Sequence, residues 1–261
     1  ERRLLMSHYV DLNSDLGESF GNYTLGMDGE VLNHVTSANV ACGWHAGDPL
    51  IMDATLRMCK EKGVAIGAHP GYPDLMGFGR RAMAVNPAEA KAYMIYQVGA
   101  LQAFCDSYGV TLQHMKLHGA FYNTACVTPA LADAVLDGLQ AVNPNIAAMV
   151  LSGSYIAKEA ERRGIPVIQE VFADRGYTDE GTLVPRTEPG AFIKDSQEAL
   201  ERVLMMVTEG KVVTNTGNTI DIVADSVCVH GDNPEAIAFT NYIREGLTKA
   251  GVTVANFQNR K

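Results

Sequence analysis

Short apolar runs alternate with longer amphipathic segments along the whole chain. The apolar runs, which predict buried β-strands, lie at 8–13, 36–42, 64–69, 112–118, 146–151, 166–172 and 226–230. The amphipathic segments predict helices at 27–35, 49–62, 87–108, 129–141, 154–163, 195–209 and 234–249. Strands that alternate with helices usually form a parallel sheet, so this order predicts an α/β protein. We expect one domain over 1–261, a (β/α) barrel of seven or eight strands, regular or distorted, with 252–255 as the eighth strand. An open doubly wound sheet is the alternative.

Local signals mark several boundaries and two interruptions of this alternation. Asp48 and Asn86 are each followed by a proline, the combination of a capping side chain with a residue suited to the first helical turn. The stretch 173–194 carries several glycines and prolines and predicts a long loop, of the kind that often covers a binding site. The stretch 211–225 predicts a β-hairpin.

Acidic, basic and amide residues gather where the predicted strands end. Side chains alternate between the two faces of a strand, so Asn13 and Asp15 share the face opposite Leu12, and Lys116 and His118 share another. The carboxyl ends of barrel strands meet at one end of the barrel, where barrel enzymes keep their chemistry. The pattern therefore predicts one site. Its candidate residues are Asn13, Asp15, Glu18, His45, His69, Lys116, His118, Glu170, Asp174, Arg175, His230 and Asp232. The alternative interpretation is that they are turn and capping residues.

Each of these side chains has a chemical and a structural interpretation. Asp15 and Glu18 suit paired carboxylates in acid–base work, and the histidines suit bases or metal ligands. Lys116 suits one of two chemical roles: it stabilises negative charge, or it acts as a base whose pKa is lowered by burial. The structural interpretation is a buried ion pair with Glu170. Arg175 suits a carboxylate or a phosphate, and its structural alternative is to anchor the long loop.

Composition and missing motifs narrow the partners. The net charge of −9 argues against nucleic acid and anionic membranes as partners. Neither of the familiar glycine-rich nucleotide loops occurs, and Arg80-Arg81 in a glycine-rich turn gives only a weak signal for an anion site. The five cysteines show no disulfide framework, which predicts reduced thiols in a cytoplasmic protein. The spacing of Cys42 and His45 puts them on opposite strand faces and argues against a thiol nucleophile.

Six motifs give the chain a specific resemblance to a known family. They are Asp11-Leu12-Asn13-Ser14-Asp15-Leu16-Gly17-Glu18, Ala41-Cys42-Gly43-Trp44-His45-Ala46-Gly47-Asp48-Pro49, Gly67-Ala68-His69-Pro70-Gly71-Tyr72-Pro73-Asp74, Lys116-Leu117-His118-Gly119-Ala120, Glu170-Val171-Phe172-Ala173-Asp174-Arg175-Gly176-Tyr177 and Val229-His230-Gly231-Asp232. From about Tyr9 to Phe257 the chain resembles the LamB/YcsF family. It departs from the family at Ser14 and Trp44, where cysteine and phenylalanine are expected, and neither position carries a predicted catalytic group.

The resemblance implies a function and a distorted barrel similar to sugar deacetylase barrels. It implies one of the subunits of a cytoplasmic bacterial enzyme, 5-oxoprolinase, that opens the lactam of 5-oxoproline to glutamate with ATP and two partner subunits. We expect the ATP-binding site to lie mainly on the partners, and we expect the partners to phosphorylate the substrate. Catalytic roles are expected for Asp15, His69, Lys116, His118 and Glu170. Substrate binding is expected for Asn13, Glu18, His45, Asp174, Arg175, His230 and Asp232. Asp15, His69 and His118 are the candidate ligands for a divalent metal, whose presence is left open.

Two other functions are compatible with these residues. One is a stand-alone metal-dependent amide hydrolase or sugar-deacetylase-type hydrolase that uses the same three ligands. The other is a subunit that binds 5-oxoproline without acting on it, which the density of acid–base groups argues against. Met6 is expected to be the natural start, with residues 1–5 a tag or an extension.

Overall fold

A computed structural model describes residues 8–231 and 233–259 of the chain. Its strands are β1 (Tyr9–Leu16), β2 (Ser37–Ala41), β3 (Ala65–His69), β4 (Leu112–Met115), β5 (Ala147–Leu151), β6 (Val167–Phe172), β7 (Lys211–Val213), β8 (Thr219–Asp221), β9 (Ser226–Cys228) and β10 (Thr253–Val254). Its helices are α1 (Asp28–Val31), α2 (Pro49–Lys62), α3 (Pro87–Tyr108), α4 (Gly119–Val127), α5 (Pro129–Val142), α6 (Tyr155–Arg162), α7 (Ser196–Glu209) and α8 (Pro234–Lys249). A 3-10 turn follows at Phe257–Asn259.

Seven parallel strands close into a barrel. The order is β1-β2-β3-β4-β5-β6-β9, and β1 also pairs with β9, which completes the ring. The predicted barrel is therefore confirmed, and the open sheet is wrong. The predicted eighth strand does not enter the ring, because β10 pairs only with Tyr9 and Val10, at the amino end of β1.

The helix boundaries follow local capping chemistry. The Asp48 side chain accepts hydrogen bonds from the backbone N–H groups of Leu50 and Ile51, and Asn86 forms a capping box with Glu89. Sequence reasoning missed α4, which occupies the interval between the predicted strand at 112–118 and the predicted helix at 129–141. That strand ends at Met115, and no side chain caps the start of α4, so the usual signal is missing.

The barrel interior is polar, whereas the outer faces of its strands are apolar. Leu12 and Val40 are fully buried on the outer side, where each contributes about 1.5–3 kcal/mol of hydrophobic stabilisation. On the inner side the His114 ring fills the space beside Gly67, where an added Cβ would stand 2.1 Å from His114 Nε2. The glycine is therefore required by its neighbour.

The two interruptions of the alternation are folded segments. β7 and β8 form the predicted antiparallel hairpin. The loop 173–194 doubles back on itself through bridges between Arg175 and Phe192 and between Tyr177 and Leu183. Within the described residues no single helix is long and apolar enough to cross a membrane, although α4 and α5, bent by 115°, reach that length and composition together.

Candidate active site

A cavity of about 570 Å³ opens at the carboxyl ends of the barrel strands. Seven of the predicted site residues line it, namely Asp15, Glu18, His69, Lys116, His118, Arg175 and His230. Four others are not among its lining residues, namely Asn13, His45, Glu170 and Asp174. Asp232 lies outside the described residues. The structure thus brings most of the predicted site together in one cavity.

Two histidines at the floor of this cavity have fixed tautomers. His69 Nδ1 lies 2.8 Å from the backbone oxygen of Lys116, and His118 Nε2 lies 2.8 Å from the backbone oxygen of Phe78. A carbonyl oxygen only accepts, so each of these nitrogens carries the hydrogen. The remaining nitrogens, His69 Nε2 and His118 Nδ1, face each other at 3.0 Å. When both rings are neutral, two lone pairs point at one another.

Two carboxylates meet the same pair of nitrogens. Asp15 Oδ2 lies 3.3 Å from His69 Nε2, and Glu18 Oε1 lies 3.6 Å from His118 Nδ1. Glu18 Oε1 also lies 3.1 Å from Nε2 of His45, whose ring stacks on His118 with centroids 3.7 Å apart. One ligand atom from each of Glu18, His45, His69 and His118 falls within 4.8 Å of all the others. These four residues are the set in the described chain that could hold a metal ion.

His45 reaches the site by a turn and not by strand alternation. β2 ends at Ala41, and Gly43 and Gly47 follow with φ of +90° and +78°, so the chain leaves the strand geometry before residue 45. The prediction that strand alternation puts Cys42 and His45 on opposite faces was therefore wrong, because both residues follow the end of β2; the His45 ring is buried beside the site. Cys42, whose thiol bonds its own strand at Val40, has a pKa raised to about 12 by burial and is no nucleophile.

Lys116 is a buried cation between two acids. Its Nζ lies 2.7 Å from Glu170 Oε1 and 3.1 Å from Asp15 Oδ1, and it is also 3.2 Å from Cys228 Sγ. Burial alone would lower the pKa of Lys116, but Asp15, Cys228 and Glu170 outweigh burial and raise it. The alternative of a base with a lowered pKa is therefore wrong, and the ion pair with Glu170 is present.

Glu170 stands behind the cavity wall. It is fully buried, pairs with Lys116 and accepts a hydrogen bond from the Tyr122 hydroxyl at 2.8 Å. It fixes Lys116 in position, and nothing in this geometry brings it to a molecule in the cavity.

Burial and neighbouring charges tune the acids and bases. Burial acts to raise the pKa of Asp15, but its interactions with His69 and Lys116 outweigh burial and hold that pKa well below its usual value. Burial and the charge of Asp15 raise the pKa of Glu18. Burial, reinforced by the neighbouring histidines, lowers the pKa of His118. The site therefore holds an ionised Asp15 and a neutral imidazole on His118, a combination suited to proton transfer.

The cavity mouth carries arginines that sequence reasoning mostly overlooked. Arg80 and Arg186 line the cavity, and each stacks on an aromatic ring. Arg80 Cζ lies 5.0 Å from the centre of the Phe78 ring, and Arg186 Cζ lies 5.3 Å from the centre of the Phe192 ring. The glycine-rich turn that contains Arg80 was the one available signal, and nothing in the sequence singled out Arg186. Arg175 is committed to the loop, because its Nε donates to the oxygen of Ala191 and another guanidinium nitrogen to that of Val184.

The fold and the cavity together define a class, a (β/α) barrel with acid–base groups at the carboxyl ends of its strands. The sequence profile of the LamB/YcsF family matches residues 10–261, and the chain belongs to this family.

Named relatives agree over nearly the full length. A protein from Fusobacterium nucleatum that is named as the first, or A, subunit of 5-oxoprolinase is 60% identical over 249 residues, which cover 95% of this chain and 97% of that protein. One of the same name from Pyrococcus horikoshii is 54% identical over 245 residues, which cover 94% and 96%. The crystal structure of a lactam utilization protein from Thermus thermophilus is 44% identical, with a TM-score of 0.90, and covers 95% of this chain and 100% of that one.

Proposed function

We propose that this chain is the subunit of an ATP-dependent 5-oxoprolinase that opens the lactam of 5-oxoproline to glutamate, together with two partner subunits. The observation that carries the proposal is the cavity, which joins an ionised Asp15 and the imidazoles of His69 and His118 to the cation of Lys116 and to arginines at the mouth. The names of its full-length relatives support the choice of substrate. We also propose a cytoplasmic location, since all five cysteines are buried free thiols, which suits a reducing compartment.

The chemistry explains why ATP and partners are needed. The lactam C–N bond is stabilised by amide resonance, and transfer of a phosphoryl group to the carbonyl oxygen removes that resonance. We assign this transfer to the partners and place the ATP-binding site mainly on them, because the chain contains neither of the two familiar glycine-rich nucleotide-binding loops.

Water then adds to the carbon that bears the phosphorylated oxygen. Breaking of the C–N bond, with a proton delivered to the nitrogen, leaves an acyl phosphate, and its hydrolysis releases glutamate and phosphate.

The residues divide this work by position. Asp15 or one of the facing histidines, His69 and His118, removes the proton from water. Lys116 stabilises the negative charge that develops on the oxygens. His230 lines the cavity, with its Nδ1 3.1 Å from Asp174 Oδ2, and is the group that can protonate the departing nitrogen. Glu170, for which the sequence predicted a catalytic role, acts through Lys116 instead.

Anionic groups of the substrate meet the arginines at the mouth. Arg80 and Arg186 face the cavity and repel one another, which lowers the pKa of Arg186 in addition to the effect of burial. A carboxylate or a phosphoryl group between them relieves this repulsion.

The test is glutamate release from 5-oxoproline and ATP by four samples. These are this chain alone, the two partner subunits alone, the complete mixture, and the mixture with Asp15→Asn in place of the wild-type chain. We expect glutamate from the complete mixture only. Glutamate from the chain alone supports the stand-alone hydrolase instead, and none from a mixture of folded subunits rejects the 5-oxoprolinase assignment.

A further inference from the structure

We propose that the floor of the cavity binds one divalent first-row metal ion, with zinc favoured by the donor set, through Glu18, His69 and His118. The inference deepens the proposed function and rests on it for the catalytic role of the ion. The binding itself is a property of this chain and is measurable without substrate. It also changes the predicted ligand set: Glu18 replaces Asp15, because Glu18 and not Asp15 belongs to the set whose ligand atoms all lie within 4.8 Å of one another.

The first reason is the direction of the hydrogen atoms. A neutral histidine has one N–H group, and in both residues this group donates to a backbone carbonyl. His69 donates to the oxygen of Lys116, and His118 donates to that of Phe78. Metal-binding histidines commonly donate their second nitrogen in this way, which fixes the tautomer and directs the lone pair at the ion. Here the two lone pairs converge at 3.0 Å, an unfavourable contact unless a positive charge lies beside both.

The second reason is the spacing of the acceptor atoms. In tetrahedral zinc sites with bonds of about 2.0 Å, neighbouring ligand atoms lie about 3.3 Å apart. The structure gives 3.0 Å between the two histidine nitrogens and 3.6 Å from His118 Nδ1 to Glu18 Oε1. A single shared proton satisfies the two nitrogens but does not bond Glu18 to them, because 3.6 Å is too long for a hydrogen bond from His118 Nδ1 to Glu18 Oε1. A metal ion uses all three.

His45 and Asp15 complete the arrangement around the ligands. His45 Nδ1 has no hydrogen-bond partner in the described part of the chain, so the neutral ring is free to carry its hydrogen on Nε2 and donate it to Glu18. His45 is thus a positioning residue for Glu18. Asp15 Oδ1 already accepts from Asn39 and Lys116, while Oδ2 faces His69. Asp15 is therefore beside the open position of the ion, where a base is needed.

The donor set matches catalytic and not structural zinc. Two histidines and one carboxylate are the ligands of catalytic zinc sites that keep a fourth position open for water. When bound, such an ion lowers the pKa of its water to about 7 and polarises a carbonyl oxygen.

The experiment measures metal in the complete purified chain without substrate. The protein is stripped with a chelator and titrated calorimetrically with zinc, and in parallel with cobalt, whose visible absorption reports the coordination number. We expect one ion per chain. Glu18→Gln, His69→Gln and His118→Gln should each weaken binding by at least about a hundredfold, because changes in outer-shell partners alone cost about 10- to 100-fold.

The matched control is His34→Gln, which removes one imidazole from a half-buried position outside the cavity and should leave zinc affinity unchanged. Thermal melting of each variant checks its fold, and Glu18→Gln, the most conservative change, decides if a histidine variant does not fold. Absence of stoichiometric zinc or cobalt binding to the wild-type chain overturns the proposal, as does wild-type affinity in folded Glu18→Gln. Stoichiometric binding with no glutamate from the reconstituted enzyme supports the metal site and rejects the proposed function. Full glutamate release by the metal-free enzyme rejects the catalytic role of the ion and leaves the function in place.

Discussion

The inner face of β1 carries two aspartates in very different surroundings. Asp11, at the lower end of the barrel, is fully buried and accepts hydrogen bonds from the hydroxyls of Thr36, Ser37 and Ser226. Asp15, at the upper end, has a side chain 21% exposed and borders the cavity. Both are acidic residues of the same strand on the same face. What separates the structural acid from the functional one is whether its bonding capacity is satisfied within the fold.

Two histidines repeat this contrast. His114 Nε2 lies 2.6 Å from Asn39 Oδ1, and its ring fills the space beside Gly67. His69, on the neighbouring strand, directs an acceptor nitrogen at another acceptor. Asp11 and His114 in the lower layer thus bond to groups of the fold, whereas Asp15 and His69 in the upper layer keep bonding capacity for a ligand.

The largest effect is expected for Lys116→Ala. It should lower turnover at least about tenfold, since it removes the cation beside the reacting oxygens. It should also cost about 3–5 kcal/mol of unfolding free energy, because Glu170 is left as a buried charge. Glutamate assays and urea unfolding measure the two effects.

The double variant Lys116→Met, Glu170→Gln separates the two effects. It removes both charges, so stability should largely return while turnover stays low. Wild-type turnover in either variant would exclude Lys116 from the mechanism.

The next test substitutes the two aspartates of β1 in separate variants and compares them. Asp11→Ala should cost on the order of 3 kcal/mol, because the buried hydroxyls of Ser37 and Ser226 and the half-buried one of Thr36 lose their acceptor, and the activity of the folded fraction should not change. Asp15→Asn should lower turnover about a hundredfold with a stability change under about 1.5 kcal/mol. Equal effects of the two variants on activity would contradict the division into a structural and a functional layer.

Sequence reasoning predicted the fold more fully than the site. The apolar runs were sufficient to predict the seven strands of the barrel, and caps such as Asp48 marked where helices begin, because these signals are local. They failed for α4, which has no side-chain cap, and for the run at 252–255, whose pairing depends on where the barrel closes.

The site was predicted as a set of residues and not as an arrangement. Strand alternation correctly turned Asp15 and Lys116 inward, but it could not order the layers in depth, so Glu170 was predicted to be catalytic although it lies behind Lys116. Arg186 belongs to the loop 173–194, whose return path over the cavity depends on long-range contacts that no local pattern encodes.

A smaller effect concerns the pH dependence of stability. Burial, aided by the charges of Lys116 and His69, lowers the pKa of His114 from its ordinary 6.5 to about 3. Between pH 6.5 and about 3, His114 is therefore protonated in the unfolded chain and neutral in the folded chain. The stability that is present above pH 6.5 is lost as the pH falls towards 3. His114→Gln should make the plot of unfolding free energy against pH shallower between pH 6 and 4, by up to about 1.4 kcal/mol per pH unit. Above pH 7 the two slopes should coincide, and identical slopes below pH 6 would show that His114 is protonated in the fold.

The smallest effect is expected at the cavity mouth, where charges are exposed to solvent. Arg80→Gln should raise the KM for 5-oxoproline in the reconstituted enzyme about two- to fivefold, since exposed ionic contacts contribute about 1 kcal/mol or less. Arg81→Gln removes the same charge from the next residue, which pairs with Asp74 and not with the cavity, and should leave the KM unchanged. The difference between the two variants should shrink at high ionic strength, because salt screens exposed charges. A KM that rises equally in both would mean that the net charge of the turn attracts the substrate and that Arg80 makes no specific contact with it.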